Sequence, residues 1–190
     1  MTAVLSAALM QVCVSVIRMH ELSDQLNFGI LVIRVVFGLF LVAHGYNKVF
    51  GAGGLSGTAG WFASMGMKWP KWQARLAAAT EIGAGLLFAL GLLTPLAAAA
   101  MVSLMIVAIV TVHGKVGFFI FKPGGGWEYC ASIIAAAFAI GAMGAGNWSL
   151  DHALEIEFTE WTGALVAGGV GVLGAVLQLA SSYRPPASKA

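Results

Sequence analysis

From Asn27 to Phe50 the chain reads NFGILVIRVVFGLFLVAHGYNKVF, an almost wholly apolar stretch interrupted by Arg34. About 20 helical residues at roughly 1.5 Å each cross the hydrocarbon core of a bilayer, so the stretch is long enough to span one. A guanidinium at that depth costs about 3 kcal/mol on insertion scales, and it has to face other helices and find a partner there. The remainder of the chain matches this demand. Of its 190 residues 59% are hydrophobic and 9% charged, with a mean hydropathy of +0.89, so lipid is the solvent for most of the protein. A net charge of +2, scattered along the chain, leaves no footprint for nucleic acid. Cys13 and Cys130 form no CxxC, which removes a thioredoxin-type pair and a zinc spacing; a disulfide between them is open but has nothing in its favour.

Residues 1–26 read as an N-terminal extension, interfacial or poorly ordered. Met1 to Ile17 is apolar but short, and it lacks the basic start and small-residue cleavage site of a signal peptide. After the first span comes a Gly-, Ser- and Trp-rich segment that suits a membrane interface and ends at Pro70. A second span is expected from Trp72 to Leu93, containing Glu81. The tight turn at Leu93, Thr94 and Pro95 reverses the chain into a third span that closes at His113, and helices joined so briefly are antiparallel neighbours. A fourth span is expected from Trp127 to Met143, with Glu128 in its first turn. The segment from Gly144 to Glu160, with Asp151, Glu155, Glu157 and Glu160, is expected as an exposed turn with a short interfacial helix; residues 152–180 comprise the rest of this acidic loop and a fifth span from Trp161 to Ala180. There Gly163, Ala167, Gly171 and Ala175 recur every four residues and line one helix face with small side chains, which permits close approach of another helix. The GxGxxG formed by Gly169, Gly171 and Gly174 lies inside this apolar helix and reads as packing, not as a dinucleotide site. The tail, 181–190, reads as disordered. The expected fold is an all-α integral membrane protein: a four-helix transmembrane bundle over residues 27–151 with an additional C-terminal glycine-rich transmembrane helix.

Charge placement orients this bundle. Lys48, Lys68, Lys71 and Arg75 flank the first connection, Lys115 and Lys122 lie in the third, and Arg184 and Lys189 in the tail, all on one side if there are five spans. The other side has Arg18, the uncharged turn at Thr94 and the acidic loop. The positive-inside rule then places the N-terminus outside and the C-terminus in the cytoplasm.

Two groups of ionisable residues are candidates for function. Counting from the cation-rich end at the helical rise puts Arg34 about 18 Å deep and Glu81 about 14 Å deep. A long arginine covers that gap, so the two are expected to pair near the bilayer centre, either to fix helix packing or to bind a polar ligand such as a quinone head group. Nearer the surface, His44, His113 and Glu128 are expected within about one turn of a common plane, with Lys48 on the same face as His44. That set suits a proton relay or hydrogen bonds to a quinone carbonyl, or serves only as interfacial structure; with three candidate ligands and no recognised spacing, no metal site is expected.

Arg34 in IRVVFGLFLVAHGYNKVFG, Glu81 in AAATEIGAGLLFALGLLTPLAA, His113 closing VAIVTVHGKVGFF and Glu128 in GGGWEY together resemble the DoxX family of small bacterial membrane proteins, over about Asn27 to Asp151. The resemblance implies a four-helix bundle in the bacterial plasma membrane and an association with redox chemistry, since the family is related to the membrane subunit of a thiosulfate:quinone oxidoreductase and some members partner soluble enzymes. Arg34, His44, Lys48, Glu81, His113 and Glu128 fall on the family pattern, and the expected roles are catalytic for His44, His113 and Glu128, which would handle protons, and ligand-binding for Arg34, Glu81 and Lys48. No haem, flavin or iron–sulfur signature is present, so the expected role is a quinone-linked component of an oxidoreductase system without an intrinsic cofactor, the alternative being an accessory or assembly subunit with no chemistry of its own. The extension and the fifth helix depart from the family pattern and are the expected surface for a protein partner or a second copy.

Overall fold

The computed structural model describes residues 2–156, 158 and 161–185, with side chains described at Met10 and from Ser23 onward. The side chain of Cys13, Glu157, Glu160 and the tail from Pro186 lie outside the described residues. The chain forms α1 (Thr2–Phe50), α2 (Gly54–Ser64), α3 (Pro70–Leu90), α4 (Thr94–Thr111), α5 (Glu128–Met143), α6 (Leu150–Ala153) and α7 (Thr162–Ser182), the last wound as a π-helix over Leu165–Val170. Among the described residues there is no strand beyond an isolated bridge between Met67 and Tyr183. The backbone of the expected extension is helical and continues into α1.

Three helices among the described residues are long and apolar enough to cross a membrane: Ser23–Phe50 within α1, α4 and α7. The expected second and fourth spans do not meet that standard. α3 is long enough but carries Lys71, Arg75 and Glu81, while α5, mostly apolar after Glu128, has only 16 residues, about 24 Å at the helical rise. Prolines mark where helices begin: Pro70 and Pro95 occupy the first turns of α3 and α4, where a missing N–H costs nothing. Between them Gly91, at φ 66°, ends α3 in the left-handed conformation.

α4 sits at the centre, packed against α3, α5 and α7, while α1 lies along α3. The buried face of α1 is Asn27, Arg34, Gly38, Leu41 and Gly45 among its described side chains. Gly38 meets Gly85 of α3 so closely that a Cβ on either would press into the other's carbonyl oxygen, at 2.5 and 2.6 Å. The small stripe expected in the last helix is used in the same way. Gly163, Ala167, Gly171 and Ala175 are all buried, with Gly163 against the backbone of Gly141 in α5 and Gly171 against Val102 and Ala99 in α4. The core between these helices holds Phe88, Met101, Met105, Ile133 and Ile140, with Cys130 as a buried free thiol.

Antiparallel order gathers the polar connections at two ends. One end brings together the C-termini of α1, α4 and α7, the N-termini of α3 and α5, and α2. It is tied by backbone bonds from Lys68 N to Ser182 O (2.7 Å) and from Arg184 N to Gly66 O (2.9 Å). This is the end that bears Lys48, Lys68, Lys71, Lys115 and Lys122. The other end holds the α3–α4 turn and α6.

Candidate functional site

The expected Arg34–Glu81 pair does not form. Arg34 is fully buried, and its Nη2 donates to the carbonyl of Trp148 at the α6 end. Asp151, at the same end, is 4% exposed and not part of an exposed loop as its sequence context implies, and it makes no ion pair with Arg34. Asp151 instead accepts from the backbone of Leu93 (2.7 Å) and Thr94 (2.9 Å), satisfying the first N–H groups of α4, and its own N–H donates to Gly91 O at 2.7 Å. Glu81 points the other way: its Oε1 accepts from Lys48 Nζ at 2.7 Å. The depth count had the right residues in the interior, but Lys48 is close enough to reach Glu81, and a shorter reach leaves less charge unpaired.

Lys48 and Glu81 belong to the wall of a cavity of about 840 Å³ at the cation-rich end. α2 and the glycine-rich turn before it cover one side. His44, His113 and Tyr129 supply polar wall; Gln73 and Gln178 line it near the start of α3 and the end of α7, Thr80 lies further along α3, and Leu76, Ala77, Leu104 and Met105 are apolar. The size is ordinary for a site that buries a ring-bearing small molecule.

The structure therefore brings His44 and His113 together, as expected, but the residue that joins them is Tyr129. Its ring lies nearly parallel to that of His44, with centroids 6.3 Å apart, and edge-on to that of His113 at 5.0 Å. His113 Nδ1 lies 2.7 Å from Gly125 O, and its Nε2 lies 2.5 Å from the Tyr129 hydroxyl. A carbonyl only accepts, so Nδ1 carries the proton; Nε2 then accepts, and Tyr129 donates to it. The tyrosine oxygen keeps its lone pairs for another donor. Glu128 is not on this wall. Its carboxylate accepts from Ile120 N at 3.1 Å and pins the loop ahead of α5, because a side chain in the first turn of a helix turns back toward the chain entering it. Arg34, at the far end, is not on the wall either.

Tyr129, Gln73 and Gln178 are the polar residues sequence reasoning missed. Gln178 donates to Gln73 across the gap between α7 and α3. For Tyr129 a signal existed: it adjoins Glu128 in the motif, and one position along a helix turns a side chain by ~100°.

The ion pair is unequal. Glu81 is 5% exposed at its side chain and Lys48 18%, so lysine alone reaches water but glutamate alone does not. Lys48→Ala should therefore lower stability by about 2–4 kcal/mol, whereas Glu81→Gln should cost about 1–2 kcal/mol. Thermal unfolding in detergent, followed by tryptophan fluorescence, gives the order; equal losses would mean the carboxylate has other support.

Among known proteins, residues 29–114 match the DoxX family model. No curated protein and no solved structure matches the chain.

Proposed function

Residues 29–114 of this chain carry a DoxX domain, and from that premise we propose that it is a quinone-linked component of an oxidoreductase system in the bacterial plasma membrane. In this reading α3 and α5 complete a four-helix bundle with α1 and α4 inside the bilayer, α7 adds a fifth crossing, and the cation-rich end faces the cytoplasm with the N-terminus outside. The observation that carries the proposal is the cavity: its lining combines polar groups (His44, Lys48, Glu81, Tyr129) with apolar ones (Leu76, Leu104, Met105), and it sits among helices apolar enough to lie in lipid. A quinone has the same division, a polar ring and an apolar tail. When bound it supplies two-electron, two-proton chemistry.

The chain's own residues hold and orient the ring and keep it near protons. Lys48 presents N–H donors beside Glu81, and Tyr129 presents an oxygen fixed by His113. His44, exposed at the rim, exchanges protons with water. Arg34 and Glu128 serve this reading as supports, one anchoring α6 and the other the loop ahead of α5.

Titrating decylubiquinone into the purified protein in detergent tests this, with quenching of Trp61 on the cavity wall as the readout. Wild-type protein should bind saturably, and Tyr129→Phe combined with His113→Ala should weaken binding at least tenfold. Absence of saturable binding to the wild type would remove the quinone reading. The second reading, an accessory subunit without chemistry, draws on the exposed loop Phe118, Phe119, Ile120 and Phe121 next to Lys122 at the same end, and on the exposed outer face of α7. A partner recovered in fixed stoichiometry, with the assembled activity unchanged in His113→Ala, would favour it.

A further inference from the structure

Three cations and two tryptophans share the surface at the start of α3: Lys68, Trp69, Lys71, Trp72 and Arg75 are all exposed. Trp69, Lys71, Trp72 and Arg75, with Pro70, line an open depression of about 360 Å³. Lys68 Nζ lies over the Trp69 ring, 5.9 Å from its centroid. Lys71 and Arg75 stand four residues apart on one side of the helix, where like charges oppose each other. No acid relieves them: among the described residues the one ion pair is Lys48 with Glu81, and the Glu128 carboxylate accepts from Ile120 N. The positive end of the α3 dipole lies at the same place. The depression therefore calls for an anion.

The surface leading away from it along α3 is apolar. Leu76, Ala79, Leu86 and Leu90 are exposed, and nothing lies within 4 Å of a Cβ built on Gly83. From Arg75 to Leu86 the helix rises about 17 Å, close to half of a hydrocarbon core of roughly 30 Å. A soluble anion would use the depression and leave this strip bare, whereas an anionic phospholipid uses both. We infer that the start of α3 is a binding site for an anionic phospholipid, its phosphate between Lys71 and Arg75 and one acyl chain along the strip to Leu86. Trp69 and Trp72 flank the glycerol, at the level where amphipathic rings settle in a bilayer. The inference rests on α3 crossing the bilayer, as proposed above, and is independent of the quinone. Gln73 and Glu81, which line the cavity, belong to the buried face of the same helix, so the lipid holds α3 without entering the cavity.

The test reconstitutes the full-length protein into phosphatidylcholine vesicles in which a fixed fraction of the lipid is dibrominated phosphatidylglycerol or dibrominated phosphatidylcholine, and reads tryptophan fluorescence, which acyl-chain bromine quenches on contact. The share belonging to Trp69 and Trp72 is the quenching lost in Trp69→Phe/Trp72→Phe. Brominated phosphatidylglycerol should quench that share at least twice as strongly as brominated phosphatidylcholine. In a Lys71→Gln/Arg75→Gln background the two lipids should quench it equally, while Lys115→Gln/Lys122→Gln, which removes as much charge at the same end, should keep the preference. All the replaced side chains are exposed. Inorganic phosphate added at constant ionic strength should leave the preference in place. Equal quenching of the wild-type pair by the two lipids, equal loss of preference in both charge variants, or displacement by inorganic phosphate would overturn the lipid site and leave the crossing of α3 standing. Quenching of the pair by neither lipid would overturn both.

Discussion

Asp151→Ala should be the most damaging single substitution in this protein, lowering its stability in detergent by about 3–5 kcal/mol. The carboxylate has three functions at once. It satisfies the N–H groups of Leu93 and Thr94 at the start of α4, and it supplies negative charge at a helix N-terminus. It also places a negative charge at the end of the bundle where the guanidinium of Arg34 is fully buried, with no ion pair between them. Leu93 sits at φ 48°, an unfavourable conformation for a leucine, and the bond from its N–H to Asp151 is what holds it there.

The converse change should be milder. Arg34→Met removes a side chain whose Nε and Nη1 are buried without partners, and it leaves Asp151 still bonded to two backbone N–H groups. The lost terms are the bond to Trp148 O and the attraction to Asp151, about 1–2 kcal/mol together. The double variant should then be less damaged than the sum of the two, because the stranded arginine of Asp151→Ala is gone. Unfolding followed by circular dichroism would decide it. Simple additivity would show that the two residues do not interact.

The second large effect is expected at the α1–α3 contact. Gly38→Ala places a methyl 2.5 Å from Gly85 O and 2.9 Å from both the N and the Cβ of Ala89. Most of those atoms are helix backbone, which cannot rotate aside, so the helices have to part along a shared face. The expected loss is about 1–3 kcal/mol, from overpacking. Gly83→Ala is the control on the same pair of helices: nothing lies within 4 Å of its added methyl, and alanine in a helix interior is favoured over glycine by about 1 kcal/mol. One variant should unfold at lower temperature and the other at higher. Parallel behaviour would mean that the contact yields more than its geometry allows.

These effects fall at sites the sequence made legible to different degrees. The stripe of small residues in α7 could be read directly, because its four-residue repeat is a property of one helix. Gly38 and Gly45 were less visible, since in so apolar a helix only Arg34 marks the buried face, four and eleven residues before them. Tyr129 adjoined a residue already suspected. Asp151 gave no sign of its role: it was one of several acids in a loop, and only the return of α6 to the α3–α4 turn makes it a cap.

The sequence by itself determined that the chain is helical and lipid-solvated, that its cations gather at one end, that Pro70 and Pro95 begin helices, and that Arg34 and Glu81 lie in the interior. All of these depend on neighbours within a turn or two along the chain. Only the tertiary structure decided which group answers which: Lys48 for Glu81, the Trp148 carbonyl for Arg34, and Tyr129 in place of Glu128 between the histidines. Counting residues along a helix gives depth but not direction. One step turns a side chain by ~100°, and the partner opposite is set by how two helices rotate and slide against each other, which here is governed by contacts such as Gly38 on Gly85.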